Sequence, residues 1–422
     1  MPFLNGSGGG VYQYSLTLLE TFGDRGANGF QDELVVFADD ISHPIFSRLD
    51  GVKWKIQPES PPVSETQVFV GGLRSLFGEG PHRDVWRSLR RRLGNRTAYP
   101  DPDKVTYRLQ AGDWFRTCAV SLMFYPLPLS LSFESGVPFV MAVHDLQHRL
   151  QPEFPEVSAD GEWERREYLF RNGARYATLL LADSEVGKED ILNSYGEFGI
   201  TADRVKVLPF LPASYLPVSV SETEQREFRK KYSLPSDYLF YPAQFWPHKN
   251  HARIIRALAL LKQKYGLRIP IVLCGAHENE LREQTFQEVQ SLASELGVDD
   301  QVLYLGYVAD EHIAGLYAGA TALVMPTFFG PTNIPILEAW SLGCPVVTSD
   351  IRGVRDQAGD AAVLVDPRSV ESIADGVHRV WTDESLRGIL AERGRQRLAQ
   401  YTPADYRKRL IEIIEEAKAR IE

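Results

Sequence analysis

The stretch MPTFFGPTNIPILEAWSLGCPVV, residues 325–347, runs from the end of an apolar strand through a Pro/Gly/Asn loop into a helix opening at Ile334-Pro335, then into a second apolar run. Proline near a helix start is preorganised, and its missing N–H would have lacked an intrahelical partner there anyway. The loop N–H groups precede a helix N-terminus, where the backbone dipoles favour an anion. Glu338 falls one turn into that helix. An acid in a first turn is accounted for by the dipole alone; a carboxylate there can also accept hydrogen bonds from a ligand's hydroxyls.

Outward from this stretch the pattern repeats. Upstream lie the short apolar runs YLFYPAQ (238–244), PIVLCG (270–275), VLYLG (302–306) and ATALVMP (320–326), and downstream PVVTSD (345–350) and AAVLVDP (361–367). Helical stretches at 250–264, 278–296, 310–318 and 335–343 separate them. The first half carries DELVVFA (32–38), VPFVMAVHD (137–145) and TLLLADS (178–184), with helices at 11–22 and 161–176. Val11, Tyr14, Leu18 and Phe22 share one face of the first helix. Strands alternating with helices predict parallel sheets wound with helices on both sides. Residues 209–223, PFLPASYLPVSVSET, are rich in Pro and Ser and lack periodicity, as a linker does. The division is 1–208, a linker over 209–235, 236–402, and an amphipathic helix over 403–422. The glycine-rich loop follows only PFL, so the first strand is short or missing.

The chain has 422 residues, of which 44% are hydrophobic and 24% charged, which excludes wholesale disorder. The net charge of −10 argues against nucleic acid as partner. Cys118, Cys274 and Cys344 are odd in number and far apart, so no disulfide framework is expected. The start lacks the basic and apolar regions of a secretory signal. Together these features predict a cytoplasmic protein.

Two further segments carry chemistry. Gly6–Gly10 leads into a helix N-terminus, where glycine permits close approach of a phosphate; it is neither the G-x-G-x-x-G fingerprint nor a P-loop. AQFWPHKNH (243–251) joins a buried strand to a helix at the carboxyl end of a sheet, where ligands of open α/β sheets bind. Lys249 there offers a point charge to an anion, and Asn250 is a candidate cap for the following helix. His144 with His148, and His248 with His251, are weak candidates for a metal pair; no metal is expected.

The order and spacing of these segments over nearly the whole chain resemble the retaining glycosyltransferases of family 4, whose GT-B fold is two facing Rossmann-like domains around a cleft. The motifs carrying the resemblance are the Gly-rich loop, His144-Asp145, ADSE (182–185), PAQFWPHKN, FGPTNIPILEAWSLGCPVVTSD and GDAAVLVDP (359–367). It implies transfer of a hexose, mannose- or rhamnose-like, from a nucleotide-diphospho-sugar to a saccharide or lipid-linked saccharide, without a cofactor. It further implies that Lys249 neutralises the leaving diphosphate, Glu338 holds the ribose and His144 sits near the transferred sugar. The N–H groups of Thr332, Asn333 and Ile334 would face the phosphates or the sugar. Tyr307 and Val308 would lie near the base, Gly9 and Gly10 near the phosphates, and Asp145 on the acceptor side.

Two positions depart from the family. Gly330 stands where members often carry a first glutamate, and Gln244 where many carry an arginine, leaving Arg352 as a candidate replacement charge. These departures keep a catalytically silent nucleotide-sugar-binding subunit in view; a nucleotide-sugar epimerase of the same fold is the other alternative. The basic amphipathic segment 82–96, HRDVWRSLRRRLGNR, is either a helix packed on its domain or a peripheral membrane contact.

Overall fold

A computed structural model of the chain describes residues 9–23, 34–37, 45, 54–57, 101–217 and 219–422. The segment 82–96 and most of the Gly-rich loop lie outside the described residues. In the first half, β1 (Leu34–Phe37) pairs with β2 (Trp54–Gln57). A separate parallel sheet contains β3 (Met123–Tyr125), β4 (Phe139–Ala142), β5 (Leu179–Ala182) and β6 (Val205–Val207) in that order.

Side chains of a strand alternate between faces, so a strand buried on both sides supplies two cores. Phe139 and Met141 of β4 and Leu180 and Ala182 of β5 enter one core with Tyr168 and Ile191. Val140, Ala142, Leu179 and Leu181 enter the other. Two helices far apart in sequence cover that second face. Gly10–Gly23 contributes Tyr14 and Leu18, and Pro403–Ala419 contributes Tyr406, Leu410, Ile413 and Ala417, at helical spacing. The final helix thus packs on the first domain. Lys206 pairs with Glu416 at 2.7 Å and Arg420 with Asp203 at 2.8 Å along its edge.

The second half holds β7 (Leu239–Pro242), β8 (Ile271–Cys274), β9 (Val302–Tyr304), β10 (Ala322–Met325), β11 (Val346–Ser349) and β12 (Val363–Val365). They form one parallel sheet in the order β9-β8-β7-β10-β11-β12. This is the Rossmann order, and the winding reverses between β7 and β10. Loops leaving adjacent strands diverge there, and the crevice between them lies at the carboxyl edge. The segments singled out in the sequence, 243–251 and 326–334, are the loops after β7 and β10.

The structure departs from the sequence reading in three places. A helix, Glu222–Tyr232, lies inside the stretch read as linker. Its start is a capping box: Ser221 Oγ accepts from the Glu224 N–H, while the Ser221 N–H donates to Glu224 Oε2 at 2.8 Å. Phe228 of this helix packs so closely on Gly315 that a Cβ there would stand 2.1 Å from the ring. The helix is therefore seated on the second domain. Helices Val370–Thr382 and Glu384–Leu398 follow β12 and were also not anticipated. No helix among the described residues is long and apolar enough to cross a membrane.

Candidate active site

Two side chains stitch the loops at the winding reversal. Asn250 adopts φ 64°, a left-handed conformation asparagine tolerates better than most residues. It does not cap the following helix as its position suggested. Its Nδ2 instead donates to the Pro326 and Pro367 carbonyls, both at 2.8 Å, tying the loops after β7, β10 and β12 together. The Tyr241 hydroxyl donates to the Lys249 carbonyl at 2.9 Å and fixes the turn from below.

Lys249 stands at the end of this turn. Burial pulls its ammonium down to about 8, although Asp145 and Glu156 of the first domain pull the other way. Among the described residues no hydrogen bond or ion pair is made by its Nζ. A desolvated cation without a direct partner has much to gain from an anion. Glu338 is buried in the helix Ile334–Ser341, where it accepts from the Tyr317 hydroxyl at 2.8 Å. Burial pushes its carboxyl up to about 7, against hydrogen bonds from Tyr317 and Tyr215.

The loop between them is held from several sides. The Asn333 N–H donates to Gln357 Oε1 and Gln357 Nε2 donates to the Asn333 carbonyl, both at 2.9 Å. The Asn333 N–H is therefore occupied and does not face a ligand, which corrects the expectation from the sequence. Gly330 has φ 136°, and a Cβ there would meet Asn333 Oδ1 at 2.8 Å. A glutamate at this position would be strained by the backbone and would displace the Asn333 side chain. Thr332 reaches across the cleft to Asp183 at the end of β5. Burial pushes Asp183 up to about 7, against hydrogen bonds from Thr332 and Ser184.

The N-terminal helix brings its first residues to the same place. Gly9, at φ 55°, lies where a Cβ would be 3.9 Å from Gln244 Nε2, and Gly10 where one would be 3.8 Å from Ile334 Cδ1. Gln244 Oε1 accepts from the Trp246 indole at 2.9 Å. Arg352 does not stand in for the missing arginine. It forms ion pairs with Asp190 and Glu189 of the first domain. Tyr307 is exposed at the start of the following turn, while Val308 is buried.

On the opposing side, His144 follows β4. A carbonyl only accepts, so its Nε2 carries the proton donated to the Pro126 carbonyl at 2.8 Å, leaving Nδ1 as acceptor. Burial lowers its basicity and keeps the ring neutral. Its ring packs edge-on to Tyr14 at 4.5 Å and near Phe210 at 5.5 Å. Asp145 accepts from the Gln147 N–H at 3.0 Å. The supposed histidine pairs do not form. His148 is buried against Glu167 and Tyr195, His248 bonds Glu156, and His251 stacks on Phe245. No cluster of three metal-ligating side chains occurs among the described residues.

Sequence reasoning singled out Lys249, Glu338, Gly9, Gly10, Gln244 and the 332–334 loop, of which the structure brings Gly9 beside Gln244 and Gly10 beside Ile334. It missed Gln357, Tyr317, Tyr215, Asp183 and Glu156. Asp183 carried a readable signal, as an acid ending a buried strand within ADSE. The others sit in unremarkable helices or loops and are recruited only by folding.

Two parallel α/β domains meeting at the carboxyl edge of a Rossmann-order sheet define the GT-B class of fold. Residues 224–397 match the model of the family described as glycosyl transferases group 1. O-antigen chain mannosyltransferase B of Escherichia coli is 32% identical over 228 residues, 54% of this chain and 57% of that one. Serotype-specific mannosyltransferase WbdA of the same organism is 22% identical over 53% of this chain and 26% of its own length. The matches therefore span about a quarter to just over half of these relatives. Among solved structures, WaaG, a glycosyltransferase involved in lipopolysaccharide biosynthesis, aligns over 98% of this chain and 97% of its own. Its TM-score is 0.64 at 16% identity. Anabaena HepE in complex with UDP and glucose aligns over 72% and 81%, with a TM-score of 0.60 at 18% identity.

Proposed function

We propose that the protein is a retaining glycosyltransferase. It moves a hexose-type sugar, mannose- or rhamnose-like, from a nucleotide-diphospho-sugar to a saccharide or lipid-linked saccharide. The observation carrying this reading is the meeting of the Gly9–Gly10 helix start with Gln244 and Ile334, in the two loops that hold Lys249 and lead to Glu338. The mannosyltransferase names of the relatives support the sugar class.

On this reading Lys249 takes up the charge of the departing diphosphate. The N–H groups of Thr332 and Ile334, at a helix start, add further stabilisation. Glu338 holds the ribose hydroxyls. The acceptor hydroxyl attacks the anomeric carbon from the leaving-group face, the carbon–phosphate oxygen bond breaks, and a donor phosphate oxygen takes the proton. The chain's own residues then have to position the reactants and exclude water. On this reading His144, whose Nε2–H is committed to the Pro126 carbonyl, accepts a hydroxyl of the transferred sugar at Nδ1.

The test pairs binding with turnover. Thermal unfolding is followed with UDP, GDP and ADP, and then transfer from the matching sugar conjugates, with the product's anomeric configuration read by NMR. Stabilisation by one nucleotide and an unchanged anomeric configuration support the reading. Binding without turnover favours the silent subunit, and sugar isomerisation favours the epimerase.

A further inference from the structure

The two domains share a closed circuit of hydrogen bonds beside Lys249. Glu156 lies in a short helical turn of the first domain, with its side chain only 4% exposed. Its Oε1 accepts from the His248 N–H at 3.1 Å and lies 2.6 Å from His248 Nδ1. On its other side, the His248 carbonyl accepts from the Phe328 N–H at 2.8 Å and the Thr327 hydroxyl at 3.2 Å. The Phe328 carbonyl then accepts from Gln151 Nε2 at 2.9 Å, returning the circuit to the first domain five residues before Glu156. Phe154, between them, packs on Phe328 at 5.5 Å and on His248 at 6.3 Å.

Both backbone groups of His248 and both of Phe328 are thus used in one ring. His248 immediately precedes Lys249, and Phe328 opens the loop that runs to Thr332. We propose that Glu156 and Gln151 are positioning residues, through which the first domain fixes the turn bearing Lys249 and the adjoining donor loop. Neither residue is required to touch substrate. The inference rests on the proposed function only for what Lys249 binds.

Charge points the same way. The side chains whose charge acts on Lys249 are Asp145 and Glu156, both from the first domain, while His248 lies beside it and His251 one turn on. Burial lowers the basicity of His248, and because a carboxylate only accepts, Nδ1 carries the proton donated to Glu156. Undocking the domains removes both the clamp on the turn and the negative charge around the ammonium.

The test uses the full chain with Glu156→Ala, Glu156→Gln, Glu156→Met and Gln151→Ala, each first shown to unfold cooperatively. Amide hydrogen exchange of the 243–251 and 325–333 segments is the ligand-free readout. Glu156→Ala is expected to raise exchange at His248 and Phe328 by about 10-fold, as when a local opening becomes about 1.4 kcal/mol easier. Strand 271–274 stays unchanged. Glu156→Gln keeps an acceptor oxygen and restores most of the protection, whereas Glu156→Met, similar in bulk but without an acceptor oxygen, does not; equal protection in the two would reduce Glu156 to a space-filling role. Nucleotide affinity, probed with UDP, GDP and ADP, falls in Glu156→Ala and less in Gln151→Ala. Unchanged exchange in the two segments, or a rise spread evenly over both domains, overturns the proposal. If none of the three nucleotides stabilises the wild type, the donor assignment fails, while the exchange result still decides whether the clasp exists.

Discussion

The two halves of the cleft are built by different means. The proposed donor edge is densely hydrogen-bonded: Asn250, Gln357 and Tyr317 hold its loops within the second domain, and Glu156, Gln151 and Asp183 hold them from the first. The opposing edge has fewer such ties. His144 leans on the rings of Tyr14 and Phe210 with one hydrogen bond to Pro126, and Asp145 is held by a local turn. Hydrogen bonds are demanding in distance and angle, whereas apolar packing accepts other side chains of similar volume. A rigid donor edge faces an edge free to diverge. This matches the pattern of the comparisons, where the family model covers residues 224–397.

The sharpest test of that contrast is Lys249→Ala. Removing the cation from the proposed donor edge is expected to lower turnover by about 10²–10³-fold and abolish stabilisation by nucleotide. An alanine variant that still binds nucleotide normally would break the assignment of the donor edge. Next is Glu338, whose folded carboxyl titrates near 7 against an ordinary value of 4.5. Because the folded value is raised, its contribution to stability is full below about 4.5 and is lost as pH rises through about 7. Asp183 acts in the same direction. Glu338→Gln should therefore flatten the decline in stability between pH 4.5 and 7, as read by urea unfolding; an unaltered slope would contradict the burial argument.

Asn250→Ala leaves two buried carbonyls without their donor. It is expected to cost about 2–3 kcal/mol in denaturant unfolding, whereas His144→Ala should cost less, because ring packing can readjust. An equal loss in both would erase the distinction between the edges. Gly330→Glu restores the family's usual residue but is expected to impair the protein, with strain of about 1–3 kcal/mol and displacement of Asn333. A gain of activity would show the loop to be more pliable than described. The smallest effect belongs to Arg352→Ala. Its ion pairs are half exposed, so it should change stability by about 0–1 kcal/mol and only at low salt.

Most of the fold could be read because strands and helices announce themselves through local periodicity. The apolar runs at 239–242, 271–274, 322–325 and 346–349 are all strands of one sheet. The helix 222–232 was hidden because it has little apolar face beyond Phe228, which packs on a glycine distant in sequence. The site was legible where glycine, lysine or proline occupies a loop after a strand. Gln357 could not be found in this way: its role depends on meeting the Asn333 backbone, a non-local pairing that leaves no spacing signal. Arg352 shows the reverse error, in which a free charge in the sequence is spent on an interdomain pair.

The return of the last helix has a consequence for how the protein is made. The face of the first sheet formed by Val140, Ala142, Leu179 and Leu181 is covered in part by Pro403–Ala419. A ribosome adding about 5–20 residues per second emits that cover only after the entire second domain. For tens of seconds the nascent first domain carries an open apolar face, a natural landing place for a chaperone.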